Sequence, residues 1–272
     1  MTAVMTGGKG FAGENFADEG FVSETILCDG ERIDDLQRDG QKIIQHPGRF
    51  CFGMDAVLLS AYAKASAGDS VIDLCTGTGV IPILMESRYP GSNYLGIELQ
   101  EESADMARRS VLLNGREQAI QIRQGDVRAY KEIARAGSAD VVTVNPPYAK
   151  VRSGRQNATD AYSIARHEIC CTLADVLRCA AYLLRSGGRF YMVHRPERLA
   201  EILSEMHAAR IEPKRMTLVY PRQEREPNIV LIEGLRDGAP GMRIAKPLYI
   251  YDEAGQYTDE VRRIYEAGGV ER

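Results

Sequence analysis

The order of apolar and polar positions along the chain changes character near residue 68. Between Thr25 and Phe52, short apolar stretches alternate with turn signals such as Asp29-Gly30 and Asp39-Gly40. Residues 42–46 read as a strand stopped by Pro47-Gly48. Asp55 fits as the N-cap of a helix over 56–64, where apolar residues recur at helical spacing. After Gly68 the pattern becomes a regular alternation of strand and helix. Strands are predicted at 71–74, 94–97, 120–124 and 141–144, with helices at 80–89 and 101–113 between the first three. A long helix over 162–184, a strand at 189–193 behind Gly187-Gly188 and a helix at 197–208 follow. Residues 215–220 and 228–233 close the series as a hairpin-like antiparallel pair. Such interleaving implies a mostly parallel sheet wound with helices on both faces.

Composition narrows this picture only a little. At 272 residues, 44% hydrophobic and 26% charged, the chain has the make-up of a globular protein. The first 24 residues, rich in Gly, Thr, Glu and Asp, are expected to form a loose tail. No apolar run approaches the roughly 20 residues that span a bilayer, and no secretory leader is legible, so a cytoplasmic location is expected. The six cysteines (Cys28, Cys51, Cys75, Cys170, Cys171 and Cys179) form no C-x-x-C pair, and zinc spacing is absent. They are expected to act as small hydrophobes in a reducing compartment. A net charge of −4 argues against a protein that coats nucleic acid unselectively, so any such contact needs a local basic patch.

Candidate chemistry sits at four successive strand ends, where open α/β sheets bind ligands. The first is the glycine turn Asp73-Leu74-Cys75-Thr76-Gly77-Thr78-Gly79. Pro82 stands where a dinucleotide fingerprint needs Gly or Ala, which disfavours nicotinamide and flavin dinucleotides. The second is Glu98, where a ribose diol would be gripped, and the third is Asp126, placed to meet an adenine edge. No P-loop lysine follows the glycines. The set fits adenosine without phosphate.

The fourth end is Asn145-Pro146-Pro147-Tyr148. Two prolines make this turn rigid at a ligand-binding edge. Exocyclic amines of bases and amides are poor nucleophiles because their lone pair is delocalised. Hydrogen bonds from the amine to the Asn145 side-chain oxygen and the Pro146 carbonyl would turn that lone pair toward a methyl donor. Tyr148 can stack on the planar group. A sulfonium is already a good leaving group, so in-line positioning carries the catalysis. Lys150, Arg152 and Arg155 follow directly and form a candidate RNA contact.

These residues together resemble the class I amino methyltransferases. With Gly53-x-Asp55-x-x-Leu58-Leu59, His194-Arg195-Pro196-Glu197-Arg198-Leu199, Pro227-Asn228 and the Pro247–Thr258 stretch, the chain resembles the bacterial tRNA1(Val) (adenine(37)-N6)-methyltransferase family from about Glu31 to Tyr265. The resemblance implies a Rossmann-like α/β fold with a seven-stranded, mostly parallel sheet whose last strand is antiparallel. It implies S-adenosyl-L-methionine as donor and adenine N6 beside a tRNA anticodon as target. The expected cofactor residues are Asp55, Asp73, Cys75, Thr76, Gly77, Gly79, Glu98, Leu99, Asp126, Val127 and Asn145, and the expected catalytic residues are Asn145, Pro146, Pro147 and Tyr148, with no metal. Cys75 departs from the pattern, standing where many methyltransferases have the first glycine. The expected layout is an N-terminal extension over 1–67, the methyltransferase domain over 68–235 and a C-terminal extension over 236–272.

Alternatives stay open at this stage. Protein glutamine N5-methylation needs the same positioning of an amide nitrogen, but residues 1–67 do not read as the helical domain of release-factor methyltransferases. Guanine or DNA adenine methylation and a non-catalytic cofactor-binding scaffold are further candidates. Of the histidines, His46 and His207 read as structural, His167 lies on the long helix with no nucleophile motif nearby, and His194, at a strand end within reach of the site, reads as a structural hydrogen-bonding group.

Overall fold

The computed structural model describes residues 26–49, 51–147 and 171–265. The expected N-terminal tail, Tyr148, the basic residues Lys150, Arg152 and Arg155, His167, Cys170 and the first part of the helix expected over 162–184 lie outside the described residues.

The chain starts with an antiparallel pair, β1 (Arg32–Asp35) and β2 (Lys42–Gln45), followed by helix α1 (Met54–Tyr62). Next come β3 (Ser70–Leu74), α2 (Val80–Arg88), β4 (Asn93–Glu98), α3 (Glu101–Leu113) and β5 (Ile120–Gln124). A 3-10 turn (Val127–Ala129) and the short α4 (Tyr130–Ile133) lead to β6 (Ala139–Val144). The described chain resumes with α5 (Leu173–Leu183), β7 (Leu184–His194), a 3-10 turn (Pro196–Arg198), α6 (Leu199–Ala208), β8 (Ile211–Tyr220) and β9 (Ile229–Arg236). Two short strands, β10 (Arg243–Ile244) and β11 (Leu248–Tyr249), and helix α7 (Asp259–Tyr265) complete it.

Seven long strands lie in the order β8-β9-β7-β6-β3-β4-β5. Strands β5, β4, β3, β6 and β7 are mutually parallel, and β9 runs antiparallel between β7 and β8. The expected seven-stranded sheet is therefore present, enlarged to nine strands among the described residues. The two additions, β10 and β11, pair in parallel with β8. At two residues each they carry too little periodicity to be seen in the sequence.

Strand β7 shows why both faces are covered. Phe190 and Met192 enter one core and Tyr191 and Val193 the other, and all four are fully buried. Alternate side chains of a strand point to opposite faces, so an apolar run of this kind needs helices on both sides. Helices α1, α2 and α3 supply one layer, and α5 and α6 supply the other.

Three boundaries differ from expectation for local reasons. Helix α5 begins at Leu173 because Thr172 is an extended N-cap: its side chain accepts from Asp175 N, and the Asp175 carboxylate accepts from Thr172 N. The helix expected over 162–184 therefore does not run continuously through Thr172. Strand β7 begins at Leu184 and carries Gly187-Gly188 inside it, opposite a register shift between Ala139 and Val141. A Cβ on Gly188 would lie 2.9 Å from Arg185 O, so only glycine permits this close approach. The N-cap of α1 is Gly53 rather than Asp55, which sits in the first turn.

The β1–β2 pair is fastened to α3 by polar side chains. Ile44 N donates to Ser110 Oγ at 2.9 Å, and the Asn114 side chain both accepts from Lys42 N and donates to Lys42 O. Arg109 grips the Glu31 carboxylate through both terminal nitrogens and also donates to Ile26 O. Among the described residues no helix is long and apolar enough to cross a membrane.

Gly96 on β4 lets the turn after β3 lie against the sheet. A Cβ there would be 2.7 Å from Ile122 Cδ1 and 3.0 Å from Thr76 Oγ1 and Cγ2. Gly96→Ala is expected to lower stability by roughly 1–3 kcal/mol through overpacking. Urea unfolding checks this, and unchanged stability would show that Thr76 can yield.

Candidate active site

The sheet reverses its order at β3, which has β4 on one side and β6 on the other. The carboxyl ends of β5, β4, β3 and β6 are thus adjacent, as a ligand-binding switch point requires. At the end of β3 the chain turns through left-handed residues: Cys75 and Gly77 both have φ +58° and Gly79 has φ +89°. Gly77 faces open space, with nothing within 4 Å of where its Cβ would stand. Gly79 is the N-cap of α2, and Pro82 falls in the first turn, where it displaces no helix hydrogen bond.

Asp73 is 2% exposed at the end of β3. Thr143 Oγ1 on β6 donates to its Oδ1 at 2.6 Å, while Oδ2 is buried without a partner. Thr76 Oγ1, in the turn itself, is likewise buried and unpartnered. Burial pushes the Asp73 carboxyl up to about 7, against the stabilising hydroxyl of Thr143. Both atoms stand beside the open left-handed turn, and the Thr76 hydroxyl joins that of Thr143 in opposing the rise of the Asp73 carboxyl.

Glu98 holds the turn from the neighbouring strand. Its Oε2 accepts from Gly77 N at 2.9 Å and its Oε1 from Gln100 N at 3.0 Å. Each oxygen retains acceptor capacity for a ligand hydroxyl pair. Leu99 follows, half-buried, with its carbonyl accepting from Gln124 Nε2. Asp126 is already engaged: its carboxylate accepts from Arg128 N, Nε and Nη2, with the last at 2.6 Å. The hydrogen bonds of Arg128 pull its pKa below the usual carboxylate range. It caps the 3-10 turn and offers fewer acceptor positions than a free acid would. The Val127 side chain points into the core.

Asn145 follows β6 directly and stands half-buried two residues beyond Thr143, on the same side of the sheet as Asp73. Pro146 is buried and Pro147 half-buried. The Asp55 carboxylate folds back over Gly53, where a Cβ would lie 2.9 Å from Oδ1, and it accepts from Ala56 N.

Two neighbours of the site were not visible as such in the sequence. Thr143 could have been found by strand alternation from Asn145. Cys171, just before α5, pushes the Cys75 thiol up, and no local spacing announces that influence. His194 behaves as a structural group: it is 1% exposed, and its Nδ1 accepts from Arg195 N at 2.7 Å. Burial pulls its imidazole down to about 4, so it is neutral at neutral pH. Arg195 Nη1 donates to Asn228 O, joining the His194–Leu199 and Pro227-Asn228 segments. Among the described residues no group of His, Cys, Asp and Glu side chains could hold a metal ion.

Strand order, the glycine turn and the acid at the end of the next strand define a class I methyltransferase. The sequence pattern of the Methyltransferase small domain family matches residues 41–210. The chain belongs to that family, whose members draw their methyl group from S-adenosylmethionine. It is 28% identical over 226 residues to the tRNA1(Val) (adenine(37)-N6)-methyltransferase of Porphyromonas gingivalis, covering 79% of this chain and 86% of the relative. A relative of the same name from Histophilus somni is 25% identical, covering 78% and 87% respectively. Among solved structures, a predicted O-methyltransferase from Agrobacterium tumefaciens superposes with a TM-score of 0.65 at 22% identity, covering 78% of this chain and 95% of that one, which supports the fold.

The Asp73 carboxyl gives a pH test. In the unfolded chain it loses its proton near 3.8, and in the fold it keeps it up to about 7. The folded protein therefore binds the extra proton, and its stability falls as pH rises through that window. Asp73→Asn is expected to flatten this decline in unfolding experiments on the cofactor-free protein. Equal slopes for both proteins would show that Asp73 ionises in the fold as it does in the open chain.

Proposed function

We propose that the protein transfers the methyl group of S-adenosylmethionine to N6 of an adenine in tRNA, at position 37 beside the anticodon. The observation that carries this reading is the Asn145-Pro146-Pro147 turn at the end of β6, beside the Asp73–Gly79 turn that ends β3. The names of the relatives above supply the tRNA and the position.

In this reading Glu98 holds the ribose diol, and the unpartnered Asp73 Oδ2 and Thr76 Oγ1 receive polar groups of the cofactor's methionine end. When bound, S-adenosylmethionine supplies an electrophilic methyl on a sulfonium. The work left to this chain is alignment. Asn145 Oδ1 and the Pro146 carbonyl accept the two hydrogens of the amine and tilt its lone pair toward the methyl. Tyr148 stacks on the base. Position 37 lies in a single-stranded loop, so swinging the base out costs less than it would from a duplex.

Unmodified tRNA incubated with the protein and labelled donor should yield N6-methyladenosine on nucleoside digestion and mass spectrometry. Label appearing instead in a glutamine side chain of a protein would overturn the RNA assignment. Two variants separate the roles. Glu98→Ala is expected to weaken cofactor binding at least about tenfold, through loss of charge-assisted hydrogen bonds. Asn145→Ala is expected to leave cofactor affinity little changed while turnover falls by orders of magnitude through lost alignment. Calorimetry and single-turnover assays read the two effects, and normal turnover in Asn145→Ala would refute the pocket.

A further inference from the structure

The acid just past the end of β5 is held by a cation of its own loop. Gly125 N donates to Glu98 O at 2.9 Å, which ties the chain leaving β5 to the end of β4 and places Asp126 one residue past that tie. Two groups of Arg128 then bond the Asp126 carboxylate. The backbone N donates to Oδ1 at 2.8 Å and so caps the 3-10 turn. The guanidinium lies along both oxygens: Nε donates to Oδ1 at 3.0 Å and to Oδ2 at 2.9 Å, and Nη2 donates to Oδ2 at 2.6 Å. These bonds hold the carboxyl below the usual carboxylate range, so it is ionised and can only accept. The guanidinium is not part of the cap, yet it fills both acceptor positions of Oδ2. The pair is also open to solvent, with 50% of the Arg128 side chain and 26% of the Asp126 side chain exposed. Ion pairs so placed are weak enough to be exchanged for another donor.

We propose that Arg128 sets the affinity and the base preference of the cofactor site, by occupying the carboxylate edge that the adenine amino group takes when the cofactor binds. The proposal rests on the reading that residues 73–79, Glu98 and Asp126 hold the cofactor. The exocyclic amine of adenine is a hydrogen-bond donor, as the guanidinium is, and it competes for Oδ2. Binding exchanges one donor for the other. The Arg128 backbone N keeps Oδ1 throughout, so the carboxylate stays aimed while the guanidinium leaves. Hypoxanthine, the same ring system with a carbonyl in place of the amine, probes the geometry from the opposite side. Its oxygen is an acceptor and is repelled by Asp126, but it can take a hydrogen bond from Arg128. The two residues therefore pull the base preference in opposite directions. Asp126 is the group that meets adenine, and Arg128 acts on adenine through it.

The test is calorimetry on the full-length protein with S-adenosylhomocysteine and with its inosine counterpart, S-inosylhomocysteine. Neither probe has the sulfonium charge, so removing a cation from the loop changes no repulsion with the ligand's sulfur. Arg128→Ala keeps the capping N–H and is expected to bind S-adenosylhomocysteine roughly two- to fivefold more tightly, the range set by losing one exposed competing ion pair. It should bind the inosine probe no better than the wild type does, so the ratio of the two affinities rises. Arg128→Lys keeps the charge without the two-pronged grip and should fall between. If Arg128→Ala does not fold, Arg128→Lys supplies the same comparison. Asp126→Asn reads the underlying assignment, because an amide NH2 in place of Oδ2 should shift preference from adenine toward hypoxanthine. If that shift appears but the Arg128 variants bind S-adenosylhomocysteine no more tightly, or gain equally for both probes, the exchange is refuted and the cofactor reading stands. If Asp126→Asn leaves both affinities unchanged, or the wild type binds neither probe, the cofactor reading falls and the proposal with it.

Discussion

A carboxyl group buried at the end of the central strand, with one oxygen bonded and the other bare, sets the terms for the structure around it. Asp73 is tolerated there because Thr143 reaches across from β6 and because burial pushes its carboxyl up to about 7, which suppresses part of its charge. Leaving a polar atom unpaired in the interior costs about 1–3 kcal/mol, and such groups persist where a ligand makes the missing bond. The sheet order follows the same logic. Because β3 is flanked by both β4 and β6, the strand ends that carry Asp73, Glu98 and Asn145 are neighbours.

The turn that follows is rigid without being self-sufficient. Glu98 spends part of its acceptor capacity on Gly77 and Gln100, so one side chain positions the turn and fixes the start of α3. Thr76 is pressed against Gly96, which has no side chain to push it away. Asp126 behaves differently. Its Arg128 clamp makes it first a cap for the turn beyond β5, which limits what it can add to an adenine edge.

The flanking segments are attached by polar fastenings on apolar ground. At the N-terminal side, Ser110, Asn114 and Arg109 of α3 complete the backbone bonds and the carboxylate of the β1–β2 region. At the C-terminal side, β10 and β11 extend the sheet beyond β8, and Tyr251, Tyr257 and Tyr265 stack in succession with centroids 5.4 and 5.7 Å apart. Arg195 ties the end of β7 to the start of β9 through Asn228 O, beside the strand that carries Asn145.

What the sequence determined by itself was local and periodic. The alternation of short apolar strands with amphipathic helices gave the doubly wound class. Glycines in the turn after β3 marked left-handed backbone, and the acid ending the next strand stood at a fixed distance from them. The two prolines after Asn145 marked a rigid edge. Each of these signals lies within a few residues of its cause. The folded structure decided the rest, because it depended on which partner each side chain met, near or far in the chain. Asp73 owes its buried partner to Thr143, 70 residues on. The Asp126 carboxylate is taken by Arg128 because the chain turns there into a 3-10 helix. Gly53 rather than Asp55 is the N-cap of α1, with the Asp55 carboxylate folded back over the glycine. The two shortest strands exist only because β8 offers them an edge. Cys75 looked like a small replacement for glycine, and only the fold gave its thiol the influence of Cys171 that pushes it up.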